Sequence, residues 1–164
     1  MDAQPAAVGL VLRAARTCEH DTLLSIQREA AVNAFGHIFP QDLYPFPSDD
    51  IRELWRETLA DPEVEVYIAE AGGAAAGSVS VDDEFLRTLY VLPDQQRTGV
   101  GSALHDFALE RLAARGCHTA KLWTLEENWG ARRFYERRRW TLTDETRVVP
   151  FPPNPIDVQY AKAL

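Results

Sequence analysis

The stretch LPDQQRTGVGSALHDFALERL, residues 92–112, places two glycines, Gly99 and Gly101, where a helix is about to begin. Each weakens a helix relative to alanine by roughly 1 kcal/mol, so something other than helix stability requires bare backbone there. Downstream, Val100, Leu104, Phe107, Ala108 and Leu112 recur at helical spacing, and Gly116 stands as a stop. Upstream, EFLRTLYVLPD (84–94) reads as a strand closed by Pro93. A strand that turns into a helix with unpaired N–H groups at the positive end of the helix dipole attracts phosphate. Gln96, Arg97, Thr98 and Ser102 add side-chain donors. A tight turn without a ligand is the other reading of the same glycines.

Working outward, VGLVLRAA (8–15) can start a sheet, and from Cys18 the residues Leu23, Leu24, Ile26, Ala30, Ala31, Ala34 and Phe35 trace a helix that Gly36 stops. HIFPQDLYPFP (37–47) interleaves aromatics and prolines and reads as a structured loop. Ser48 is suited to cap a second helix whose face is Ile51, Leu54, Trp55 and Leu59. VEVYIAE (64–70) and GSVSVDD (77–83) make a hairpin across AGGAA (71–75). After the glycine-led helix come a strand HTAKLWTLE (118–126), a helix NWGARRFYERRR (128–139) capped by Asn128, a strand WTLTDETRVV (140–149) and a final strand IDVQYAKAL (156–164). The order predicts a mixed sheet with helices on its faces, an α/β (α+β) fold in a single domain spanning 1–164.

The totals narrow the partners. A chain of 164 residues with 46% hydrophobic composition suits one core. Its formal net charge of −8 argues against nucleic acid and against an anionic membrane surface. Cys18 and Cys117 are far apart and lack metal or redox spacing, and the four histidines show no ligand pattern, so no metal is expected. MDAQPAAVGLVLRAAR (1–16) lacks a basic leader and does not read as a secretion signal, which makes a cytoplasmic location the expectation. A dinucleotide fingerprint would need a glycine where Leu104 stands, and a Walker A loop would need Gly-Lys-Ser/Thr, which is absent.

A second signal lies in NWGARRFYERRRW (128–140). Asn128 opens the helix, Ala131 and Phe134 share a face, and Tyr135 lies one turn beyond Ala131. A tyrosine, with a pKa near 10, can protonate a departing thiolate whose thiol has a pKa near 8.5. Taken alone, Tyr135 also suits a core position with its hydroxyl at the rim.

Together, LYVLPDQQRTGVGSAL (89–104) and NWGARRFYE (128–136) resemble the GCN5-related N-acetyltransferase (GNAT) family, with its Gln96-x-x-Gly99-x-Gly101 loop and Asn-led Phe-Tyr-Glu helix. The motif-bearing part covers residues 84 to 140. That resemblance implies a mainly antiparallel sheet with one splayed parallel strand pair and helices on both faces, and acetyl-CoA as the acyl donor, bound where the pair parts. It implies that Leu89, Tyr90 and Val91 pair with the pantetheine arm. By the same likeness Arg97, Thr98, Gly99, Val100, Gly101 and Ser102 wrap the pyrophosphate, Asn128 bonds to the arm, and Tyr135 gives a proton to the CoA thiolate.

Attack on a thioester carbonyl builds an oxyanion, which a backbone N–H near Val91 can hold if the pleat is interrupted. The attacking ammonium must also lose a proton, and Asp82, Asp83 and Glu84 are the acids nearest in sequence, with Glu84 the choice for general base. Many family members carry their glutamate where Phe85 stands, others carry the base at the position of Trp123, and Arg139 replaces the glycine that usually ends the Tyr135 helix. Of the arginines at 132, 133, 137, 138 and 139, Arg133 is assigned to the cofactor phosphate, and the rest to a solvated face where Glu136 pairs with Arg132. In the segment that walls the family's acceptor pocket, Phe39, Tyr44 and Phe46 are candidates to pack around the substrate and Asp42, Asp49 and Asp50 to attract an ammonium.

The reading is therefore N-acetyl transfer from acetyl-CoA to a primary amine of a small molecule, peptide or protein. The alternative is a non-catalytic acyl-CoA-binding or sensing module. A homodimer is left open.

Overall fold

The hairpin turn shows how directly local chemistry sets this fold. Gly72 and Gly73 take φ of +61° and +81°, the pair of positive values that a tight hairpin turn needs, and the flanking segments pair antiparallel through Ala71 and Ala74. The computed structural model describes residues 9–164. Residues 1–8, half of the stretch read above for a leader, lie outside the described residues.

In chain order the elements are β1 (Leu10–Ala14), α1 (His20–Phe35), α2 (Ser48–Ala60), β2 (Val64–Ala71), β3 (Ala74–Asp82), β4 (Phe85–Val91), α3 (Val100–Ala114), β5 (Thr119–Leu125), α4 (Trp129–Arg137), β6 (Thr141–Val148) and β7 (Ile156–Ala163). A short 3-10 turn, Pro93–Gln95, joins β4 to α3. The sheet runs β1-β2-β3-β4-β5-β7-β6. Every neighbouring pair is antiparallel except β4 and β5, which are parallel and register at a single position, Phe85↔Lys121. From that point the two strands part.

Alternation along the strands feeds a core on each face. Ile68 and Val66 of β2 join Leu23, Leu24 and Ile26 of α1 and Trp55 of α2. Ala69, one residue on, points the other way with Val79, Val81, Leu122 and Tyr160, against Leu104 and Leu112 of α3 and Tyr135 of α4. Each fully buried Leu or Val contributes about 1.5–3 kcal/mol, and both sides of the sheet draw on it. Close contact between β3 and β4 needs Gly77, where a Cβ would meet the backbone oxygen of Tyr90 at 2.5 Å.

Helix ends partly follow the sequence reading. Asn128 caps α4, its Oδ1 accepting from the Ala131 N–H at 3.2 Å. Ser48 does not cap α2: it is the first helical residue after Pro47, and no side chain caps that end. Arg139 takes φ of +65°, the conformation glycine would supply. Arg139 N–H donates to the Glu136 carbonyl and Trp140 N–H to that of Tyr135, closing the helix by a Schellman arrangement in spite of the side chain. The hairpin joining β3 to β4 is equally tight, with Asp83 at φ of +41°.

Candidate active site

Where β4 and β5 part, the sheet has an internal edge, and two cavities meet there. One, of about 720 Å³, opens between the end of α1, β4, the loop into α3 and the start of α4. The other, of about 670 Å³, lies across the splay beneath the aromatic loop and the loop joining β6 to β7. Phe35, Leu89, Tyr90, Ala131 and Tyr135 line both. Any molecule spanning the two must pass those five residues.

The first cavity gathers most of the residues expected to hold the donor: Leu89, Tyr90, Val91, Arg97, Gly101, Asn128, Arg133 and Tyr135 all line it. At its α3 end the first helical bond is donated by Ala103 N–H to the Gly99 carbonyl at 3.0 Å. The N–H groups of Val100, Gly101 and Ser102 precede that bond and have no partner within the helix. Val100 is completely buried in the core, so it shapes the turn from beneath. Thr98 Oγ1 donates to the Gln95 carbonyl at 2.5 Å, which shapes the loop. Ser102 Oγ accepts from Arg138 at 2.5 Å.

The two glycines differ in what requires them. Gly99 has φ of +93°, so its absent Cβ is a conformational need. Gly101 is helical, and a Cβ there would meet Phe134 and Val91 only at 3.6 Å, ordinary contact. Neither backbone conformation nor packing asks for Gly101. What its bareness preserves is approach to the amides at the helix start, as phosphate binding requires.

In the second cavity, Phe39, Tyr44 and Phe46 of the aromatic loop form wall together with Leu86, Trp123 and Phe151. The loop acids do not reach it: Asp49 pairs with Arg52 at 2.7 Å and is almost fully exposed. One carboxylate lines this cavity, Asp157 of β7. Its register partner Arg147 donates Nε–H to Oδ2 at 2.9 Å and lays its guanidinium 4.5 Å from the Trp123 ring.

The two shared tyrosines are held protonated. Burial, with the Asp157 charge adding to it, pushes the Tyr90 hydroxyl up to about 12. Burial likewise drives Tyr135 well above the usual phenol range, with Tyr90 adding and Arg138 opposing. A phenol in that state is a proton donor, and among the described residues its hydroxyl makes no hydrogen bond within the protein.

Glu84 is not brought to this junction. It sits where β3 turns into β4, lines neither cavity and accepts from Lys121 Nζ at 2.8 Å. The strand register explains this: Lys121 N–H donates to the Glu84 carbonyl at 2.9 Å at the closed end of the splay, while the cavities open at the other. The pleat of β4 is interrupted, but at Arg87, where the β3 register shifts between Ser80 and Val81, four residues before Val91.

Sequence reasoning also misassigned two arginines. Arg132 does not pair directly with Glu136: it donates to the Tyr160 hydroxyl at 2.9 Å, and that hydroxyl donates to Glu136 at 2.7 Å. Tyr160 is fully buried, so the bridge ties α4 to β7. Arg138 lies 3.6 Å above the Phe134 ring beside the start of α3, rather than on a solvated face. Asp157 was missed outright. Its only trace in sequence is one acid in the alternating strand IDVQY (156–160).

The model of the acetyltransferase (GNAT) family matches residues 28–139. The chain is 31% identical over 97 residues to an uncharacterized N-acetyltransferase of Archaeoglobus fulgidus, a match covering 52% of this chain and 66% of that protein. It is 36% identical over 99 residues to the mycothiol acetyltransferase of Beutenbergia cavernae, covering 57% of this chain and 33% of that one. The matches thus leave a third of the first relative and two thirds of the second unspanned. The fold is similar to the crystal structure of the PaiA N-acetyltransferase from Thermoplasma acidophilum in complex with coenzyme A, with a TM-score of 0.77, 16% identity, and coverage of 94% of this chain and 99% of that one. No helix among the described residues is long and apolar enough to cross a membrane.

Proposed function

Because this chain belongs to the GNAT acetyltransferase family, we propose that it transfers an acetyl group from acetyl-CoA to a primary amine, with donor and acceptor entering from the two cavities and reacting at their junction. The observation that carries the reading is that Tyr135 lines both cavities with a phenol held protonated by burial.

The donor's diphosphate lies on the N–H groups of Gly101 and Ser102, with Thr98, Gly99 and Val100 shaping the loop and Arg97 and Arg133 adding positive charge. Its pantetheine arm runs along Leu89, Tyr90 and Val91, whose inner edge has no strand partner because β5 has parted from β4. Asn128 flanks the arm while capping α4. This delivers the thioester beside Tyr135.

The amine, neutral after loss of one proton, attacks the thioester carbonyl. A C–N bond forms and the carbonyl oxygen takes the electron pair as an oxyanion. Collapse of that intermediate breaks the C–S bond and the thiolate takes the Tyr135 proton, while the nitrogen, positively charged after attack, gives up a proton that returns through water to the Tyr135 phenolate, leaving free CoA, a neutral amide and the phenol restored. Chemistry at a CoA thioester needs no metal in this scheme.

Calorimetric titration of acetyl-CoA, run beside thiol release over a broad panel of primary amines, tests the reading. Binding with release supports it. Binding without release on any amine favours an acyl-CoA sensor, and absence of binding removes both readings.

A further inference from the structure

The second cavity holds one feature that acyl transfer to a generic amine does not use, the paired Asp157 and Arg147. Asp157 is only 8% exposed, and Arg147 engages its Oδ2 alone. Its Oδ1 has no protein partner among the described residues. Arg147 reaches the pair through Nε, and the terminal nitrogens of its guanidinium likewise lack a protein partner among them. Backbone register between β6 and β7 and the stacking on Trp123 hold the two charges side by side. The other cation on the wall, Arg87, is committed to Asp82 at 3.1 Å. The rest of the lining is predominantly apolar, with Phe39, Tyr44, Phe46 and Phe151 prominent.

Such a wall is poorly matched to a simple monocation. An ammonium approaching Asp157 meets a carboxylate already neutralised by Arg147, so it gains little Coulomb energy unless it evicts the arginine from both Asp157 and Trp123. A ligand carrying both charges needs no eviction. Its ammonium takes the open Oδ1, its carboxylate takes the open guanidinium N–H groups, and the two partners keep their own bond. The 670 Å³ volume is of small-molecule size.

Resting on the acyl-transfer reading, we propose that the acceptor is a free amino acid with an apolar or aromatic side chain, its amine held by Asp157 and its carboxylate by Arg147. Asp157 lies close enough to act on Tyr90 by its charge, and Tyr90 is at the junction with the donor cavity. An amine on Asp157 Oδ1 is therefore presented toward the thioester.

The test compares thiol release from acetyl-CoA with L-leucine and L-phenylalanine against isoamylamine and phenethylamine, which are the same molecules without the carboxylate. The expected result is kcat/KM at least tenfold higher for the two amino acids. Arg147→Met should erase that preference, and Asp157→Asn should raise KM for the two amino acids tenfold or more, with a smaller change in kcat and a smaller change for the two decarboxylated amines. Wild-type affinity for coenzyme A in both variants shows that each is folded. Equal or better rates with the decarboxylated amines, or a preference that survives Arg147→Met, overturns this inference and leaves acetyl transfer standing. No thiol release with any amine removes both.

Discussion

Trp140 donates its indole N–H to Nε2 of His105 at 2.9 Å in the buried heart of the α3–α4 interface. An indole nitrogen can only donate, so Nε2 must be an acceptor and the ring proton sits on Nδ1, where it is given to Asp106 at 2.9 Å. His105 is thus neutral. Burial lowers its pKa, with Arg138 and Lys162 acting in the same direction and Asp106 opposing.

A folded-state pKa below the unfolded value near 6.5 means that stability from this contact is fully present above about pH 6.5 and is lost as pH falls through the lowered folded value. Melting temperature should therefore drop between pH 7 and pH 5 more steeply in the native protein than in His105→Gln, whose amide can keep both bonds without titrating. Parallel slopes would remove His105 from the acid sensitivity.

Gly101 separates binding from stability. Since a Cβ there meets only ordinary contacts, Gly101→Ala should leave the fold intact or stabilise it by about 0.5–1 kcal/mol through helix propensity. Affinity for coenzyme A should fall at least tenfold, because the methyl group obstructs approach to the α3 amides. A calorimetric titration beside a melting curve checks both. Unchanged affinity would remove Gly101 from donor binding.

Replacing Tyr135 with Phe keeps the ring that packs on Phe134 and Trp140 and removes only the proton donor. Turnover should fall by about 10²-fold, within the range that a positioned acid supplies, with coenzyme A affinity nearly unchanged. Since burial raises this phenol's pKa, the native protein's kcat should show no loss below pH 10 that Tyr135→Phe abolishes. Retained turnover in the variant would exclude the phenol from the reaction.

Glu84→Gln is the converse case. The residue pairs with Lys121 at a partly exposed site, where such a pair contributes about 0–1 kcal/mol, and it touches neither cavity. Steady-state turnover should stay within twofold of the native value. A loss of tenfold or more would restore Glu84 as the base.

What the sequence disclosed follows how local each determinant is. Element order, the hairpin glycines and the Asn128 cap rest on neighbours within a few residues, and they are as read. The turn that opens α3 was legible for the same reason, being one contiguous run from Gln96 to Ser102. The second cavity is assembled from α1, α2, α4, four strands and two loops, so no short pattern announces it. Glu84 was selected for closeness in sequence to the central strand, and strand register places it at the closed end of the splay, outside both cavities. Asp157 is 73 positions further on in the numbering, yet register across β5 and β7 places it opposite Leu125 at the cavity. The arginines of α4 misled because their partners, Tyr160 and Ser102, lie on other elements.

The parting of β4 from β5 after one bridge has a further meaning for how this chain tolerates change. A donor laid along that opened seam would be gripped chiefly by peptide groups, which every amino acid carries alike. Most replacements along β4 would leave that handhold in place, whereas a single replacement at Arg147 or Asp157 would rewrite the opposite wall. On the proposed reading, recognition of the carrier would be insulated from drift, and the choice of what receives its cargo would be left open to it.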